Sequence, residues 1–539
     1  MKYVVSALAF ATVVFFTISA LVADDIDFVW VKAIGGTSIR GTAISTDDSG
    51  NVYTTGYFTG TVDFDPGEGV VELTSATPYR PDIFISKLDS NGNLIWAKSM
   101  GGPLEDRGQN IYIDDYSNIY TTGGFTGTVD FDPGEGVVEL TSATADRTDI
   151  FISKLDSNGK LIWAKSMGGG GYDDGYAISA DDSGNVYASG CFGDNADFDP
   201  GDDSFILINS TGLWCEIFIN KLDSDGNFLW AKALGPGNGN GISLDDSDHV
   251  YIAGYWVSGN LAGDDYGEIY HEGFTSKLDS NGNFLWTNTI TGSSLHDISV
   301  DDSGYVYTTG NSTINKLDSN GNFIWHKAMT GVYGLGVSVD NSGNVYTTGE
   351  FQGTVDFDPG EGVVELTSAG KDDIFISQFD SNGKLIWAKS MGGTSTDTGY
   401  AISVDNSYNI FTTGVFFGTV DFDPGEGVVE PTSTGNYDVF VLKLKSGGPF
   451  KLSVSLSGDG IVTSHPSGID CPKNCTDFFY KNTSVTLTAV PSEGASFGNW
   501  SGGGCSGSGT CTVTMDSDIE VTATFGKEGV VSWLMLLLK

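Results

Sequence analysis

Basic residues are scarce in this chain. Its 539 residues include 26 Lys and Arg against 70 Asp and Glu, which gives a formal net charge of −44 at pH 7. A surface this negative repels nucleic acid phosphates and anionic lipid headgroups, and it favours cations as partners. We therefore exclude a nucleic acid partner and expect an acidic, monomeric protein.

Residue types that serve in catalytic sites are also few. The five histidines are scattered, at His249, His271, His296, His326 and His465. The chain contains no Gly-x-Ser-x-Gly nucleophile elbow and no His-Glu-x-x-His zinc motif. Acidic pairs recur many times, so they single out no acid–base pair of the kind that a glycosidase needs. We expect that the protein is not an enzyme, with a polysaccharide hydrolase or lyase as the alternative.

The longest apolar run lies at the N-terminus. It extends from Tyr3 to Ala23, follows Met1 and Lys2, and is succeeded by an acidic pair. This pattern predicts a signal peptide over residues 1–23. An uncleaved membrane anchor is the alternative, because the run is long enough to span a bilayer. With cleavage, the mature chain has no membrane span and is secreted or held at the cell surface.

Cysteines are limited to six. Cys191 and Cys215 lie in one region, whereas Cys471, Cys475, Cys505 and Cys511 lie in a short C-terminal segment. An even number in an exported chain predicts disulfides rather than zinc ligands, and His465 is the sole histidine near the C-terminal set. The pairing is not determined by the sequence.

An internal repeat is the dominant feature of what remains. One phrase, typified by Leu88-Asp-Ser-Asn-Gly-Asn-Leu-Ile-Trp96, closes on a tryptophan, and tryptophans mark the series at Trp30, Trp96, Trp163, Trp230, Trp286, Trp325 and Trp387. A second phrase, Asp-Asp-Ser-Gly-Asn-Val-Tyr in its first copy, starts at Asp47, Asp114, Asp181, Asp245, Asp301, Asp340 and Asp405. Both markers give seven units.

Each unit is predicted to form four short antiparallel strands. Alternating apolar residues flank Asp-Asp-Ser-Gly and Asp-Ser-Asn-Gly turns, which is a strong hairpin signal. Four strands repeated around an axis form a propeller blade. The chain opens with a lone fourth strand at 28–31 and ends the last unit on a third strand at 439–444. We therefore predict an all-β fold, a seven-bladed β-propeller over residues 25–448 whose N-terminal strand closes the last blade.

These phrases resemble the bacterial seven-bladed β-propeller repeat (SBBP) family, which is itself similar to NHL repeats. The resemblance covers roughly residues 25–448. It implies an exported or surface scaffold without a fixed activity.

Five units carry an added acidic segment between their second and third strands. Its first copy includes Asp63-Phe64-Asp65-Pro66-Gly67-Glu68, and the pattern predicts a hairpin that turns at the proline. Carboxylates at alternate positions of a strand point the same way and are hard oxygen ligands suited to calcium. The alternative is a set of solvated turn aspartates, with Phe64 holding the hairpin down. The candidate calcium ligands are Asp63, Asp65, Glu68, Asp130, Asp132, Glu135, Asp197, Asp199, Asp356, Asp358, Glu361, Asp421, Asp423 and Glu426.

The pattern changes after Gly448. Residues 449–526 are predicted to form a small β-domain stapled by disulfides. The stretch 458–525 resembles the divergent internalin B-type bacterial repeat, which implies a spacer or adhesive module. The apolar tail at 527–539 is too short to span a bilayer, and it is either a clipped sorting signal or a frayed terminus.

The leading hypothesis is a non-catalytic binding or scaffold protein outside the cell. Its expected ligand is a carbohydrate, a protein or a divalent cation. No cofactor is required, although Ca²⁺ is a candidate.

Overall fold

The computed structural model describes residues 26–209, 215–258, 270–358, 360, 362–447, 450–479 and 483–527. The predicted signal peptide lies outside the described residues, as does nearly all of the apolar tail. All regular structure in the described ranges is β-strand. None of these residues forms a helix long and apolar enough to cross a membrane. The chain divides into two compact units, the first being Ile26–Ser446 and the second containing the residues from Gly447 onward.

The first unit contains strands β1 to β30, numbered in chain order. Their bounds are β1 Ile26–Ile34, β2 Gly36–Thr46, β3 Val52–Asp63, β4 Glu72–Thr74, β5 Asp82–Leu88, β6 Leu94–Met100, β7 Arg107–Ile113, β8 Ile119–Thr126, β9 Thr128–Asp130, β10 Glu139–Thr141, β11 Thr148–Leu155, β12 Leu161–Gly169, β13 Asp174–Ala180, β14 Val186–Phe192, β15 Ala196–Asp197, β16 Ile206–Leu207, β17 Glu216–Leu222, β18 Phe228–Leu244, β19 Val250–Ser258, β20 Tyr270–Leu278, β21 Phe284–Thr291, β22 Leu295–Val300, β23 Val306–Leu317, β24 Phe323–Val339, β25 Val345–Asp356, β26 Glu365–Phe379, β27 Leu385–Met391, β28 Thr398–Val404, β29 Asn409–Phe416 and β30 Asp438–Ser446.

Strand pairing arranges these elements as successive antiparallel groups of four. Three groups are β2-β3-β5-β6, β7-β8-β11-β12 and β28-β29-β30-β1. Long strands β18 and β24 each end one group and begin the next, since their two halves pair with different neighbours. Strand β23 supplies two members of its group, one on each side of Ser312, whose φ is 57°. The described strands thus form seven groups, which is compatible with seven blades.

The groups are joined into a ring. The first strand of each group contacts the first strands of its two neighbours, in the order β2, β7, β13, β18, β22, β24, β28 and back to β2. The β-propeller predicted from the repeat is therefore the fold of this unit.

The predicted closing strand is confirmed. Strand β1 pairs antiparallel with β30, from Ile26 opposite Ser446 to Ile34 opposite Val439. Both isoleucines are buried, at 3% and 1% exposure. The start of the chain therefore completes the last sheet and covers its edge.

The core lies between neighbouring sheets. One cluster combines Ala43, Tyr53 and Ile83 of one sheet with Ile111 and Phe125 of the next. Each sheet buries apolar residues on both sides in this way, so no sheet is stable alone.

A repeated polar network explains the second marker phrase. The Asp47 carboxylate accepts hydrogen bonds from the amide of Asn51 at 2.9 Å and from the Tyr53 hydroxyl at 2.9 Å. The ammonium of Lys87 lies 4.8 Å from the Tyr53 ring centroid and donates to the carbonyl of Ser157 in the next sheet at 3.2 Å. Equivalent networks surround Asp114, Asp181 and Asp245. The invariant Asp and the tyrosine, which is replaced by Phe411 in the seventh unit, therefore stabilise the turn and help to join neighbouring sheets.

The second unit contains strands β31 to β38. Their bounds are β31 Phe450–Ser457, β32 Gly460–His465, β33 Asp470–Cys471, β34 Thr476–Phe479, β35 Ser484–Pro491, β36 Ala495–Ser501, β37 Cys511–Thr514 and β38 Ile519–Lys527. They form two four-stranded sheets, β34-β31-β38-β36 and β33-β32-β35-β37, with β31 and β38 parallel. Trp500 is the largest fully buried side chain of this core.

All six cysteines form disulfides, as the sequence predicts. The pairs are Cys191–Cys215 in the first unit and Cys471–Cys475 and Cys505–Cys511 in the second. Each cysteine pairs with its nearest neighbour in the sequence, which settles the pairing that the sequence left open.

Candidate functional site

The acidic segments form the hairpins that the sequence predicts. Thr61 lies opposite Thr74 and Asp63 lies opposite Glu72. The Asp63 carboxylate accepts hydrogen bonds from the amides of Asp65 at 3.0 Å and Val71 at 2.8 Å. The same bonds recur around Asp130, Asp197, Asp356 and Asp421. These carboxylates therefore hold their own loop in shape.

Phe64 anchors the first hairpin to the core. Its side chain is fully buried, with its ring centroid 5.5 Å from that of Phe58 and 5.0 Å from that of Phe84. The corresponding residues of the other four segments are Phe131, Phe198, Phe357 and Phe422, each packed against two further phenylalanines. This packing agrees with the alternative of a structural hairpin held down by Phe64.

The calcium prediction is not tested by this arrangement. Asp65, Asp132, Asp199, Asp358 and Asp423 each accept a hydrogen bond from the glycine two positions later. Glu68, Glu135 and Glu426 are exposed, and Glu361 lies outside the described residues. Within the described ranges, no three His, Cys, Asp or Glu side chains are grouped closely enough to hold a metal ion. Calcium stays a prediction.

Two similar cavities lie beside the turns of the polar network. One of about 430 Å³ is lined by Asp301, Tyr307 and Lys316, and the other, of about 410 Å³, by Asp114 and Lys154, each with residues of the adjoining sheet. Their walls are mostly the turn residues that stabilise the sheets. The residues that line these cavities are therefore explained by their role in stabilising the fold.

The first strand of each group carries a β-bulge near the end that lies away from the turn of the polar network. The pairing of the first two strands skips one residue in every group, between Gly41 and Ala43 in the first. Bulges re-aim side chains and are over-represented beside functional sites. The seven skipped residues, here called the bulge ring, are Thr42, Gln109, Tyr176, Asn240, His296, Leu335 and Tyr400.

Invariant glycines maintain these bulges. A Cβ added to Gly56 would lie 1.9 Å from the carbonyl oxygen of Arg40, which leaves no space for any side chain. The same close approach, 1.9 to 2.1 Å, occurs at all seven equivalent positions, Gly56, Gly123, Gly190, Gly254, Gly310, Gly349 and Gly414. The bulge thus depends on a close backbone approach that any side chain at these glycines would prevent.

Residues around the bulge differ between units, whereas those at the turn end do not. The first residue of the second strand at the turn is always a fully buried valine or isoleucine, at Val52, Ile119, Val186, Val250, Val306, Val345 and Ile410. The residue after the invariant glycine is Tyr57, Gly124, Cys191, Tyr255, Asn311, Glu350 or Val415. All seven members of the bulge ring are half-buried. Because the backbone is repeated, this variation marks the surface where the units are free to specialise.

Arg40 is the centre of contacts in one part of this surface. Its guanidinium donates to the hydroxyl of Tyr57 at 3.4 Å and to that of Tyr400. It also lies 4.7 Å from the Tyr400 ring centroid, while the Arg107 guanidinium lies 5.3 Å from that of Tyr57. Burial lowers the pKa of Arg40, whereas Tyr400, Tyr57 and Tyr437 raise it, and the net shift is upward.

Further polar groups continue around the ring. The Tyr176 hydroxyl lies 3.6 Å from the Cys191 sulfur, and the Tyr255 ring stacks on His271 with centroids 4.5 Å apart. Burial raises the pKa of Asp174, which Arg107 partly lowers. The surface therefore combines aromatic faces with donors and acceptors of both charges.

The fifth unit departs from the others at Asp297. Its carboxylate accepts from the amides of Ile298 at 2.8 Å and Val337 in the next sheet at 2.9 Å. Burial raises its pKa to about 7. Beside it, His296 pairs with Asn311 at 2.8 Å, and burial lowers the pKa of this histidine. The Asp297 contacts join two sheets, which is a structural role.

The bulge ring was not identified by the sequence analysis. A column-by-column comparison of the seven units would have found the variable position after each invariant glycine, which lies beside the bulge, but not the skipped residue itself.

Comparisons with known proteins identify the C-terminal unit. Residues 461–529 match the family described as the divergent InlB B-repeat domain. This segment is a divergent InlB B-repeat. The match confirms the prediction for this part of the chain.

Weaker similarity to other known proteins is also found. An uncharacterized WD repeat-containing protein of Acanthamoeba polyphaga mimivirus is 24% identical over 242 residues, which are 40% of this chain and 17% of that protein's length. The WD40 β-propeller domain of Doa1 gives a TM-score of 0.38 at 11% identity and covers 78% of this chain and 97% of its own. The Neurospora crassa Pan2 WD40 domain gives 0.35 at 11% identity, covering 63% and 89%. The resemblance to the SBBP family stays a prediction.

Proposed function

We propose that this protein is a non-catalytic binding protein of the cell exterior whose ligand, a carbohydrate, lies on the bulge ring. One observation carries the proposal. Seven equivalent backbone positions on the first strands hold six residue types at the bulge, while the position next to the turn on the paired second strands is always valine or isoleucine. Positions free of a packing requirement are where a repeat protein places its binding residues.

The chemistry of the ring and of the residues beside it suits a sugar. Half-buried tyrosines present aromatic faces and hydroxyls, and arginine, asparagine and histidine provide hydrogen bonds that fix orientation. Tyr176 and Tyr400 of the ring are half-buried, as are Tyr57 and Tyr255, which follow invariant glycines on the paired strands. The net charge of −44 disfavours a polyanion such as nucleic acid.

Three disulfides and a bacterial-type repeat support a place outside the cell. Disulfides persist in oxidising compartments and are rare in the cytosol. The predicted signal peptide at 1–23 agrees with this location.

A glycan array followed by calorimetry on the bound sugar tests the proposal. Tyr57→Ala and Tyr400→Ala should each weaken binding roughly tenfold, as loss of an aromatic anchor does. Tyr79→Ala is the matched control, because Tyr79 is 88% exposed and lies outside the ring. Equal affinity in ring and control variants would overturn the proposal. Release of reducing ends by the wild-type protein would favour the hydrolase or lyase alternative.

A further inference from the structure

We propose that Arg40, Tyr57 and Tyr400 form a subsite for the carboxylate of an acidic sugar, so that the preferred ligand is a uronate-containing glycan. The inference rests on the proposed function, since it names the ligand class of the same surface.

The first argument is an excess of donors. A guanidinium has five N–H groups and accepts no hydrogen bond. Arg40 uses two of its donors on the hydroxyl oxygens of Tyr57 and Tyr400. Each phenol acts as acceptor toward Arg40, and Tyr400 also has a hydrogen bond with Thr398. The remaining N–H groups of Arg40 and the hydroxyl proton of Tyr57 are donors that an acceptor with two oxygens would satisfy.

The second argument is the lack of a direct ion-pair partner. Of the residues that the structure describes, none forms an ion pair with Arg40, although the chain has 70 acidic residues. Arg80 and Arg107, by contrast, both contact Glu105, at 2.6 and 3.0 Å. Glu350 interacts electrostatically with Arg40, but it forms no ion pair with the guanidinium and accepts from the Thr398 hydroxyl at 2.5 Å.

The third argument is the shape of the subsite. The Arg40 guanidinium lies over the Tyr400 ring and that of Arg107 lies over the Tyr57 ring, 4.7 and 5.3 Å from the centroids. Stacking holds the planar fork of Arg40 in one orientation, as bidentate recognition of a carboxylate requires. The half-buried phenol rings beside it offer a face to the apolar side of a sugar ring.

The net charge of the protein limits the ligand further. A net charge of −44 repels a dense polyanion at long range, whereas each separate carboxylate of a short glycan is attracted at short range by the guanidinium of Arg40. A uronate oligosaccharide fits both conditions.

Calorimetry with trigalacturonate and its fully methyl-esterified form tests the inference on the unmodified protein. The two probes differ in the charge of the carboxyl groups, so no variant has to fold. We expect the acid to bind roughly tenfold to a hundredfold more tightly than the ester, as for a charge-assisted bidentate contact. Arg40→Gln should remove this preference by weakening binding of the acid much more than binding of the ester. Arg80→Gln is the control and should keep the preference.

The outcomes separate this inference from the proposed function. Equal affinities for acid and ester, or binding of other neutral glycans at the ring, would refute the carboxylate subsite and leave the carbohydrate proposal intact. Absence of binding to any glycan of the array would refute both. Tetraglutamate binding as tightly as trigalacturonate would overturn the assignment to a sugar.

Discussion

Replacing Gly56 with alanine should destabilise the propeller far more than the same change at Gly292. The new Cβ at position 56 would lie 1.9 Å from the Arg40 carbonyl oxygen and 2.9 Å from a ring carbon of Phe84. Phe84 is fully buried and cannot move aside. At Gly292 the φ is 77°, and no heavy atom lies within 4 Å of an added Cβ.

The structure sets the size of the difference. A carbon and a carbonyl oxygen normally approach to about 3.3 Å, so β2 and β3 must separate by over an ångström at the bulge. Overpacking costs about 1–3 kcal/mol, and loss of the adjacent strand hydrogen bonds adds about 1 kcal/mol each. We therefore expect a loss of ~3–5 kcal/mol for Gly56→Ala. The left-handed backbone at position 292 accounts for a loss of about 1–2 kcal/mol in Gly292→Ala.

Urea unfolding of the full mature chain measures both losses. The transition of the propeller should move to lower urea in Gly56→Ala, with a smaller shift in Gly292→Ala. Because the alanine in Gly56→Ala would displace the backbone of Arg40, the folded fraction of this variant should also bind the glycan more weakly. Equal midpoints in the two variants would show that the bulge is not held by the glycine contact.

Three further predictions concern closure, pH and calcium. Ile34 on the closing strand is 1% exposed, so Ile34→Ala should lower the free energy of unfolding by ~2–5 kcal/mol. Val29 on the same strand is 42% exposed, so Val29→Ala should lower it by less than about 1 kcal/mol. Similar losses for the two variants in urea unfolding would contradict closure by β1. Burial raises the pKa of both Asp106 and Asp149 from 3.8 to about 7. The folded state therefore binds protons more tightly than the unfolded state does. The stabilisation that these two groups contribute is fully present below pH 4 and is lost as the pH rises through 7. The thermal midpoint should therefore fall between pH 5 and pH 8, and a rise over that interval would refute the assignment. If the acidic hairpins bind calcium, the thermal midpoint should rise with added Ca²⁺ and return to its first value with chelator, and Asp63→Asn should reduce this shift. A thermal midpoint that does not change with Ca²⁺ would refute calcium binding.

The repeat made most of the propeller predictable because its turns are determined locally. Asp89 shows this, since its carboxylate accepts from the amides of Asn91 and Asn93 at 2.9 and 2.8 Å, within the turn that it begins. Ring closure was predictable for another reason. The chain begins with one unpaired strand and ends one strand short, and pairing of β1 with β30 satisfies both ends.

The bulge could not be predicted by the same reasoning. Alternation of apolar and polar residues continues across Gly41, Thr42 and Ala43, so the sequence gives no sign of a skipped residue. The decisive contact joins the Gly56 backbone to the Arg40 carbonyl, which are distant in sequence and carry no side-chain signal. Cysteine pairing was also undetermined, because the sequence supplies spacings and not distances.

The shared turn contacts and the proposed binding surface lie at opposite ends of the same sheets. At the turn end, the Tyr53 hydroxyl donates to Asp47, and the tyrosine of this pair is present in six of the seven units. At the bulge end, the backbone itself maintains the geometry, so Thr42 and Tyr400 differ at equivalent positions without disturbing the fold. A substitution in the bulge ring should then change binding with little loss of stability, and a substitution in the turn network should do the reverse. This separation allows seven similar units to carry a binding surface that is not sevenfold symmetric.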